Sequence, residues 1–314
     1  MHYETTIKSL IFCRINSTIA KLKLFKEGKL MGKLWILFIV IYALLKGSRE
    51  GMKKAALKKS SSNEILFFYT FIGLILTLPF SKDAFSLEAK YIFYAFIKSA
   101  VCCTAWLCSL IAIKKMSVSL YGIMDLSRMV FSTMLGVFVL GESFTLPKLV
   151  GVCLVITGLL LVNLKKNSES GAMTLPILLA ALANCFFNAI SGTMDKVLMK
   201  HMETSQLQFW FMLFMTVIYG MVLIVRKEKI SFKSIKTNYW VPLMSLSLVL
   251  GDRLLFEANA NPESEVTLMT LIKQSAVVVT VLTGWLVFKE KHILYKLMCA
   301  GIVVTGIIVP LVIK

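Results

Sequence analysis

LYGIMDLSRMVFSTMLGVFVLGESFTLPKLVGVCLVITGLLLV, residues 120–162, is the stretch that decides the fold of this chain. Its pattern predicts two apolar helices joined by a short polar turn at 141–143. Residues 268–310 repeat the stretch without a gap, so that Glu142 in the first copy is matched by Glu290 in the second. Such agreement is hard to obtain by chance, and it indicates that the chain arose by duplication.

The composition identifies the solvent in which the duplicated unit folds. Hydrophobic residues make up 57% of the chain and its mean hydropathy is +0.78, well above the roughly 45–50% apolar usage of soluble domains. Apolar runs of about 20 residues, the length that a helix needs to cross a bilayer, recur along the sequence. Because many of these runs are apolar on every face, the pattern predicts a polytopic helical membrane protein.

The net charge of +18 does not indicate a nucleic-acid partner. The lysines are concentrated in the N-terminal tail and in short turns between apolar runs, which is where membrane proteins place them. The seven cysteines form no metal-type C-x-x-C pair, and no catalytic or phosphate-binding motif is present in the sequence. We therefore expect no enzyme activity, no cofactor, no metal and no nucleic acid.

The repeat also gives the domain organisation. Residues 1–32 form a basic tail, which is either a surface amphipathic helix or an extension upstream of a true start at Met31. Residues 33–166 and 172–314 are the first and second five-helix repeats. Ten spans are predicted, at approximately 34–57, 64–80, 91–113, 118–140, 147–164, 174–199, 206–225, 239–258, 266–288 and 293–312.

The odd number of spans in each repeat determines how the repeats relate to the membrane. Two tandem copies of a five-helix unit must point in opposite directions, which is the architecture that secondary transporters use around a central site. The predicted fold class is therefore an all-α polytopic membrane protein with ten transmembrane helices arranged as two inverted five-helix repeats.

Ionisable residues occur inside six of the predicted spans, where each costs several kcal/mol unless it faces water or a partner. In the first span Lys46, Arg49 and Lys53 lie on one helical face, so we expect that face to point inward. The candidate substrate-binding residues, which would surround a central wet cavity, are Arg49, Glu50, Lys98, Asp125, Arg128, Asn188, Asp195, Asp252, Arg253, Glu257, Lys273 and Gln274.

Some of these residues have a second interpretation as fixed structural struts. Arg253 and Glu257 have the i, i+4 spacing of a helical ion pair, and Asp125 and Arg128 lie one turn apart. A pair of this kind stabilises the bundle without touching a solute, so the sequence leaves both roles open for these four side chains.

The ends of the two repeats resemble a known family. Residues 138–142 followed by Thr157-Gly158, and residues 286–290 followed by Thr305-Gly306, are similar to the drug/metabolite transporter superfamily and to its EamA-type members in particular. The second repeat has Lys289 where the first has glycine before glutamate, which leaves open whether that glycine is needed for the turn.

The resemblance implies a function and a location. Members of the family move small metabolites, often amino acids, across the bacterial cytoplasmic membrane, and related branches move nucleotide sugars or help to flip lipid-linked sugars. It also implies cytoplasmic termini, whereas the lysine distribution without the basic tail places both termini outside. The orientation therefore stays open.

The expected function is ATP-independent transport of a small polar or zwitterionic metabolite, such as an amino acid, by alternating access. The cationic side chains of the cavity would bind anionic groups of the solute. Asp195, Asp252 and Glu257 would bind a cationic group or a proton. Glu257 is the hypothesis for a proton-coupling group. The expected partners are the lipid bilayer and a small-molecule substrate, and the expected state is a monomer or a homodimer. The alternatives are an amphiphile flippase of the same fold and a membrane scaffold or sensor that transports nothing.

Overall fold

The computed structural model of the chain describes residues 31–141, 143, 145–164, 174–227, 237–290 and 293–312. Every regular element in those residues is helical. The helices are α1 Met31–Ala56, α2 Ser62–Thr77, α3 Ala89–Lys115, α4 Val118–Met124, α5 Arg128–Leu140, α6 Leu146–Leu164, α7 Leu175–Leu198, α8 Thr204–Val225, α9 Trp240–Ala260, α10 Val266–Gln274, α11 Ala276–Phe288 and α12 Ile293–Val312. The predicted all-helical fold is confirmed.

Six helical segments of the described chain are long and apolar enough to cross a membrane. They are Ser62–Phe80, Ala89–Lys115, Val118–Leu140, Leu175–Leu198, Thr204–Val225 and Val266–Phe288. The helices α1 and α9 coincide with two further predicted spans, but each contains several charged residues. Ten crossings therefore remain a prediction. The predictions for the N-terminal tail and for Glu142 fall outside the described residues.

Two of the apolar segments are interrupted near their middle. A 3₁₀ turn at Asp125–Ser127 separates α4 from α5, and a turn at Ser275 separates α10 from α11. Ser127 and Ser275 are equivalent in the repeat, so both copies break at the same place. The breaks face each other, because the side-chain amide of Gln274 donates to the Asp125 carbonyl oxygen at 2.8 Å. Interruptions of this kind put backbone polar groups inside a bundle, where transporters build their sites.

The helices of the two repeats pack in matched pairs. The third helix of the first repeat, α3, packs along the first helix of the second, α7, and conversely α9 packs along α1. The second helices of the repeats, α2 and α8, pack against each other, and so do the last helices, α6 and α12. Each pairing has its counterpart when the repeats are exchanged, as a two-fold relation between them requires.

Two glycines allow α1 to lie directly against α11. A Cβ atom at Gly47 would come within 2.6 Å of the Ala276 carbonyl oxygen, and one at Gly51 would overlap Cγ2 of Thr283. Small residues at a helix contact let two backbones approach closely inside a membrane. The charged helix α1 is thus held against one of the two interrupted helices.

The turns that follow α5 and α11 have the same backbone conformation. Gly141 ends α5 with a φ of 69°, and Lys289 ends α11 with a φ of 52°. Both values lie in the left-handed region, which costs a residue with a Cβ about 1–2 kcal/mol. The turn therefore requires a left-handed residue, and the second repeat meets that requirement with a strained lysine instead of glycine.

Candidate functional site

A buried polar cavity lies at the centre of the helical bundle. It has two lobes, which comprise about 420 Å³ and about 530 Å³ of space between atoms and are partly open to solvent. Five residues line both lobes, one from each of α1, α3, α5, α7 and α9. They are Tyr42, Trp106, Arg128, Asn188 and Asp252. Because the lobes share these side chains, they are adjacent parts of one cavity between the two repeats.

Asp125, at the break between α4 and α5, holds two cations of the cavity wall. Lys46 Nζ lies 2.6 Å from Asp125 Oδ2, and Arg128 Nη2 lies 2.6 Å from Asp125 Oδ1. The amide of Asn184 donates to the same Oδ1 at 3.4 Å, and Lys46 also donates to Gln274 Oε1 at 3.4 Å. One carboxylate thus balances two positive charges, and the group as a whole keeps one positive charge. The predicted contact between Asp125 and Arg128 is confirmed.

Lys98 in α3 forms a second buried ion pair in the wider lobe. Its Nζ lies 3.1 Å from Asp195 Oδ1 and 3.4 Å from the centroid of the Phe211 ring. The Phe256 ring centroid lies 5.2 Å from the same ammonium. A carboxylate and two aromatic faces are favourable surroundings for a desolvated cation. The positive charge of Lys98 is therefore compensated by groups of the protein itself.

A third ion pair lines the narrower lobe. Lys53 Nζ lies 2.9 Å from Glu50 Oε1, one turn away on α1. By the repeat, Lys53 is equivalent to Asp195, which lines the wider lobe. Equivalent positions of the two repeats thus carry opposite charges, and each is neutralised by a local partner.

Three charged side chains of the cavity have no fixed counter-ion. Within the described part of the chain, Arg49, Asp252 and Lys273 form no ion pair of 4 Å or less. Arg49 Nη1 donates to the Tyr69 hydroxyl at 3.3 Å, and the Arg49 guanidinium lies 5.7 Å from the Tyr42 ring centroid. Arg49 and Asp252 are only 5% and 6% exposed, so both charges are buried, and they act on each other across the cavity without a direct ion pair.

Two lysines form equivalent contacts in the two repeats. Lys54, at the end of α1, donates to the carbonyl oxygen of Met116, just before α4. Lys196, at the end of α7, donates to Ser264 Oγ at 2.5 Å and to the Asn261 carbonyl oxygen at 2.7 Å, just before α10. Lys54 matches Lys196 and Met116 matches Ser264 in the repeat, so we name these two contacts the lysine clamps.

A carboxylate of the second repeat reinforces the first lysine clamp. Glu290, which follows α11, accepts hydrogen bonds from the backbone nitrogens of Val118 at 2.9 Å and Ser119 at 3.4 Å, and Lys296 Nζ lies 2.9 Å away. Burial raises the pKa of Glu290, but hydrogen bonds from Ser119 and Lys296 outweigh it and hold the pKa below its usual value. A negative charge at the start of α4 also suits the helix dipole.

Both halves of the chain match one family. The model of the EamA-like transporter family matches residues 33–164 and again residues 175–312. The chain belongs to the EamA-like transporter family. It is therefore an integral membrane transporter of the drug/metabolite transporter type, as the motifs at the ends of the two repeats predicted.

The fold of this EamA-like transporter is also found among solved structures. One, described as "Crystal structure of protein", aligns with a TM-score of 0.60 over 90% of this chain and 95% of its own. The two sequences are 13% identical, so the likeness concerns the fold alone. No curated protein matches the sequence significantly.

Most of the residues predicted for the site of this EamA-like transporter meet at the cavity. Those that line it are Arg49, Glu50, Lys98, Arg128, Asn188, Asp195, Asp252 and Lys273. Asp125 and Gln274 lie behind the wall and position Lys46 and Arg128. Whether any of these residues binds substrate stays a prediction.

Arg253 and Glu257 lie elsewhere. Glu257 is exposed on the outer side of α9, and the Arg253 guanidinium lies 4.8 Å from the centroid of the Phe80 ring. The ion pair that their i, i+4 spacing allowed does not form between these two described residues. Helical spacing put them on one face of α9, but it did not show that the adjacent face, with Asp252, turns toward the cavity.

Sequence reasoning also missed several uncharged cavity residues. Tyr42 lies one turn before Lys46 on α1, and Asn184 lies one turn before Asn188 on α7. Extending each polar face by one turn would have found both side chains. Tyr69 and Tyr121, in contrast, had no signal in the sequence that separates them from ordinary packing aromatics.

Proposed function

We propose that this EamA-like transporter is a secondary carrier with ten membrane crossings in two inverted repeats, which moves a small polar or zwitterionic solute by alternating access. The observation that carries the proposal is the buried cavity in which Arg49, Asp252 and Lys273 have no fixed counter-ion. An uncompensated buried charge costs several kcal/mol. A solute with complementary charges would recover that cost on binding, as a transport site requires.

The interrupted helices support a binding site at the middle of the membrane. In carriers with inverted repeats, discontinuous helices meet at the repeat interface near the bilayer midplane. Here the two breaks meet beside the cavity, and Lys273 lies at the end of α10 where one of them begins. The solute would therefore bind between the repeats, in contact with both.

The lysine clamps provide the two closures that alternating access needs. Each clamp fixes the end of the first helix of a repeat to the start of that repeat's interrupted helix. In an inverted arrangement the clamps lie toward opposite faces of the membrane. Release of one clamp while the other stays closed would expose the cavity to one side at a time.

A proton-coupled cycle needs a carboxylate in the cavity that has no permanent cation beside it. Asp252 meets this requirement, whereas Glu257 faces outward. The charged groups that act on Asp252 across the cavity are Arg49, Lys98 and Asp195. We also propose that the bilayer is the only obligatory partner and that the carrier uses no cofactor. It would lie in a bacterial cytoplasmic membrane as a monomer or a homodimer.

Solute counterflow in proteoliposomes tests the proposal. The purified full chain would be reconstituted and loaded in turn with amino acids, organic cations, nucleosides and sugars, each against its labelled form. We expect at least one polar solute to exchange, and Lys273→Met to lower its flux about tenfold or more because an anchoring charge is lost. Glu257→Gln, on the outer side of α9, is the matched control that keeps its flux.

Three results would contradict it. One is the absence of exchange for every solute. Another is movement of labelled lipid without solute exchange, which would identify a flippase. The third is a Lys273→Met variant with lowered thermal stability and unchanged flux, because that would make the cavity charges structural.

A further inference from the structure

The cavity charges that have no ion-pair partner in the protein indicate the chemistry of the solute. Lys46 and Arg128 share Asp125 as their counter-ion, a group that keeps one positive charge, and Lys98 is balanced by Asp195. Subtracting these groups and the pair on α1 leaves two cations, Arg49 and Lys273, and one carboxylate, Asp252, among the described residues that line the cavity. The remaining set has a surplus of positive charge.

We propose that the solute carries two anionic groups and one amine, the chemistry of a dicarboxylic amino acid. This inference rests on the proposed transport function and narrows its substrate class. Arg49 and Lys273 each take one carboxylate, and Asp252 takes the ammonium group. In the loaded state Arg49, Lys273 and Asp252 then each have a counter-ion, which is the condition for binding charged groups away from water.

The placement of the three groups fits one small molecule that reaches into both lobes. Arg49 lines the narrower lobe only, and Lys273 lines the wider lobe only, whereas Asp252 lines both. A solute with its amine near the shared wall and its acidic groups at two ends would meet them in that order. Asn188, which also lines both lobes, adds a side-chain amide at the same wall.

Simpler solutes leave a charge of the site unsatisfied. A neutral amino acid has one carboxylate and would leave Arg49 or Lys273 without a partner. A dicarboxylate that lacks the amine would leave Asp252 without one. Because a buried charged group left unpaired loses its hydration without compensation, we expect each defect to weaken binding about tenfold or more.

Thermal unfolding of the detergent-purified full chain tests the inference with matched ligands. Aspartate and glutamate would be compared with asparagine and glutamine, which lack the second carboxylate, and with succinate and glutarate, which lack the amine. The expected result is a dissociation constant for an acidic amino acid about tenfold or more below those of its amide and its amine-free analogue.

Single substitutions then assign each group to its partner. Lys273→Met or Arg49→Gln should abolish the preference for glutamate over glutamine, and Asp252→Asn should abolish the preference for glutamate over glutarate. Arg49→Lys, which keeps the charge, should retain the first preference and guards against a variant that merely fails to fold. Unchanged preferences in these variants, or equal binding of amides and acids in the native chain, would overturn the assignment.

The same material separates this inference from the transport proposal. Binding of acidic amino acids without counterflow would support the substrate chemistry and overturn transport. Counterflow of another solute, with acidic amino acids neither bound nor exchanged, would overturn the substrate class and leave the transport proposal standing.

Discussion

Lys54 and Lys196 occupy equivalent positions at the ends of α1 and α7. Each donates a hydrogen bond to the residue two positions before the interrupted helix of its own repeat. The acceptors differ in kind, since Lys54 uses a backbone carbonyl and Lys196 uses a serine hydroxyl together with backbone carbonyls. Conservation of the geometry between the two halves of one chain indicates that the clamps are part of the repeated unit.

The first prediction concerns access to the cavity when a clamp is removed. Cys102 lines the wider lobe and is 4% exposed, so it serves as a reporter once the other cysteines are replaced by serine. Lys54→Ala should increase its labelling by a membrane-impermeant thiol reagent from one face of oriented vesicles, and Lys196→Ala from the opposite face. Each substitution weakens one closure only.

The control for this experiment is Lys200→Ala. Lys200 is exposed one turn beyond Lys196 and should leave labelling unchanged. Increased labelling from the same face in both clamp variants would contradict the inverted arrangement.

The second prediction concerns the carboxylate that serves two cations. Asp125→Asn should destabilise the protein by about 3–5 kcal/mol, because Lys46 and Arg128 would both lose their buried counter-ion. Lys46→Met should cost less, since Asp125 keeps Arg128 beside it. Thermal or denaturant unfolding in detergent measures both, and an equal effect of the two variants would argue against the shared pairing.

The third prediction is a dependence of stability on pH. The pKa of Glu290 is lowered in the folded protein, so its contribution to stability is complete above the unfolded pKa of about 4.3. That contribution is lost as the pH falls below that value through the lower folded pKa. Glu290→Gln should reduce the loss of stability between pH 5 and pH 3, measured as the melting temperature at each pH.

A matched variant identifies the source of the pKa shift. Lys296→Met removes a cation that hydrogen-bonds to Glu290 at 2.9 Å, so its acid-induced loss of stability should lie between those of the native chain and Glu290→Gln. A Lys296→Met curve that coincides with the native curve would assign the shift to the backbone of α4 alone.

The fourth prediction concerns the close contact between α1 and α11. Gly51→Ala should destabilise the protein by about 1–3 kcal/mol, since the new methyl group overlaps Cγ2 of Thr283. Thr283→Ser removes that methyl, so the double variant should recover most of the loss. Gly47→Ala should show no rescue by Thr283→Ser, because its nearest obstacle is the Ala276 carbonyl oxygen. The measurement is the melting temperature of the native chain, of the three single variants and of the two double variants with Thr283→Ser.

The fifth prediction separates two neighbouring acids on α9. Asp252→Asn should change the pH dependence of solute uptake, because Asp252 faces the cavity. Glu257→Gln should leave that dependence as it is, because Glu257 faces outward. The opposite pair of results, measured in proteoliposomes with a pH gradient, would restore Glu257 as the coupling group.

The sequence was sufficient for the helical architecture and for the family. Apolar runs located the helices, and the match between Glu142 and Glu290 revealed the duplication. The helix breaks were not predictable, because no proline or glycine stands at Asp125–Ser127 or at Ser275. They form where tertiary contacts, such as that between Gln274 and Asp125, supply the backbone with partners that a helix would otherwise provide.

The composition of the site was predictable, but its pairing was not. Spacing on one helix correctly joined Asp125 with Arg128, and wrongly joined Arg253 with Glu257. Pairs between helices, such as Lys98 with Asp195, depend on which helix faces lie together. Lys98 and Asp195 meet because α3 packs on α7, and a single sequence does not reveal that packing.

The opposite charges at equivalent positions, Lys53 with Asp195 and Asp125 with Lys273, have an electrical consequence. When two inverted repeats exchange conformations, equivalent positions travel in the same direction along the membrane normal. A positive and a negative charge that travel together displace no net charge, although one alone would do work of up to about 2.3 kcal/mol per 100 mV. If the repeats alternate as proposed, these four residues add no net charge movement to the return of the empty carrier. The membrane potential then acts on the cargo and on cavity charges whose repeat equivalents are uncharged, such as Arg49.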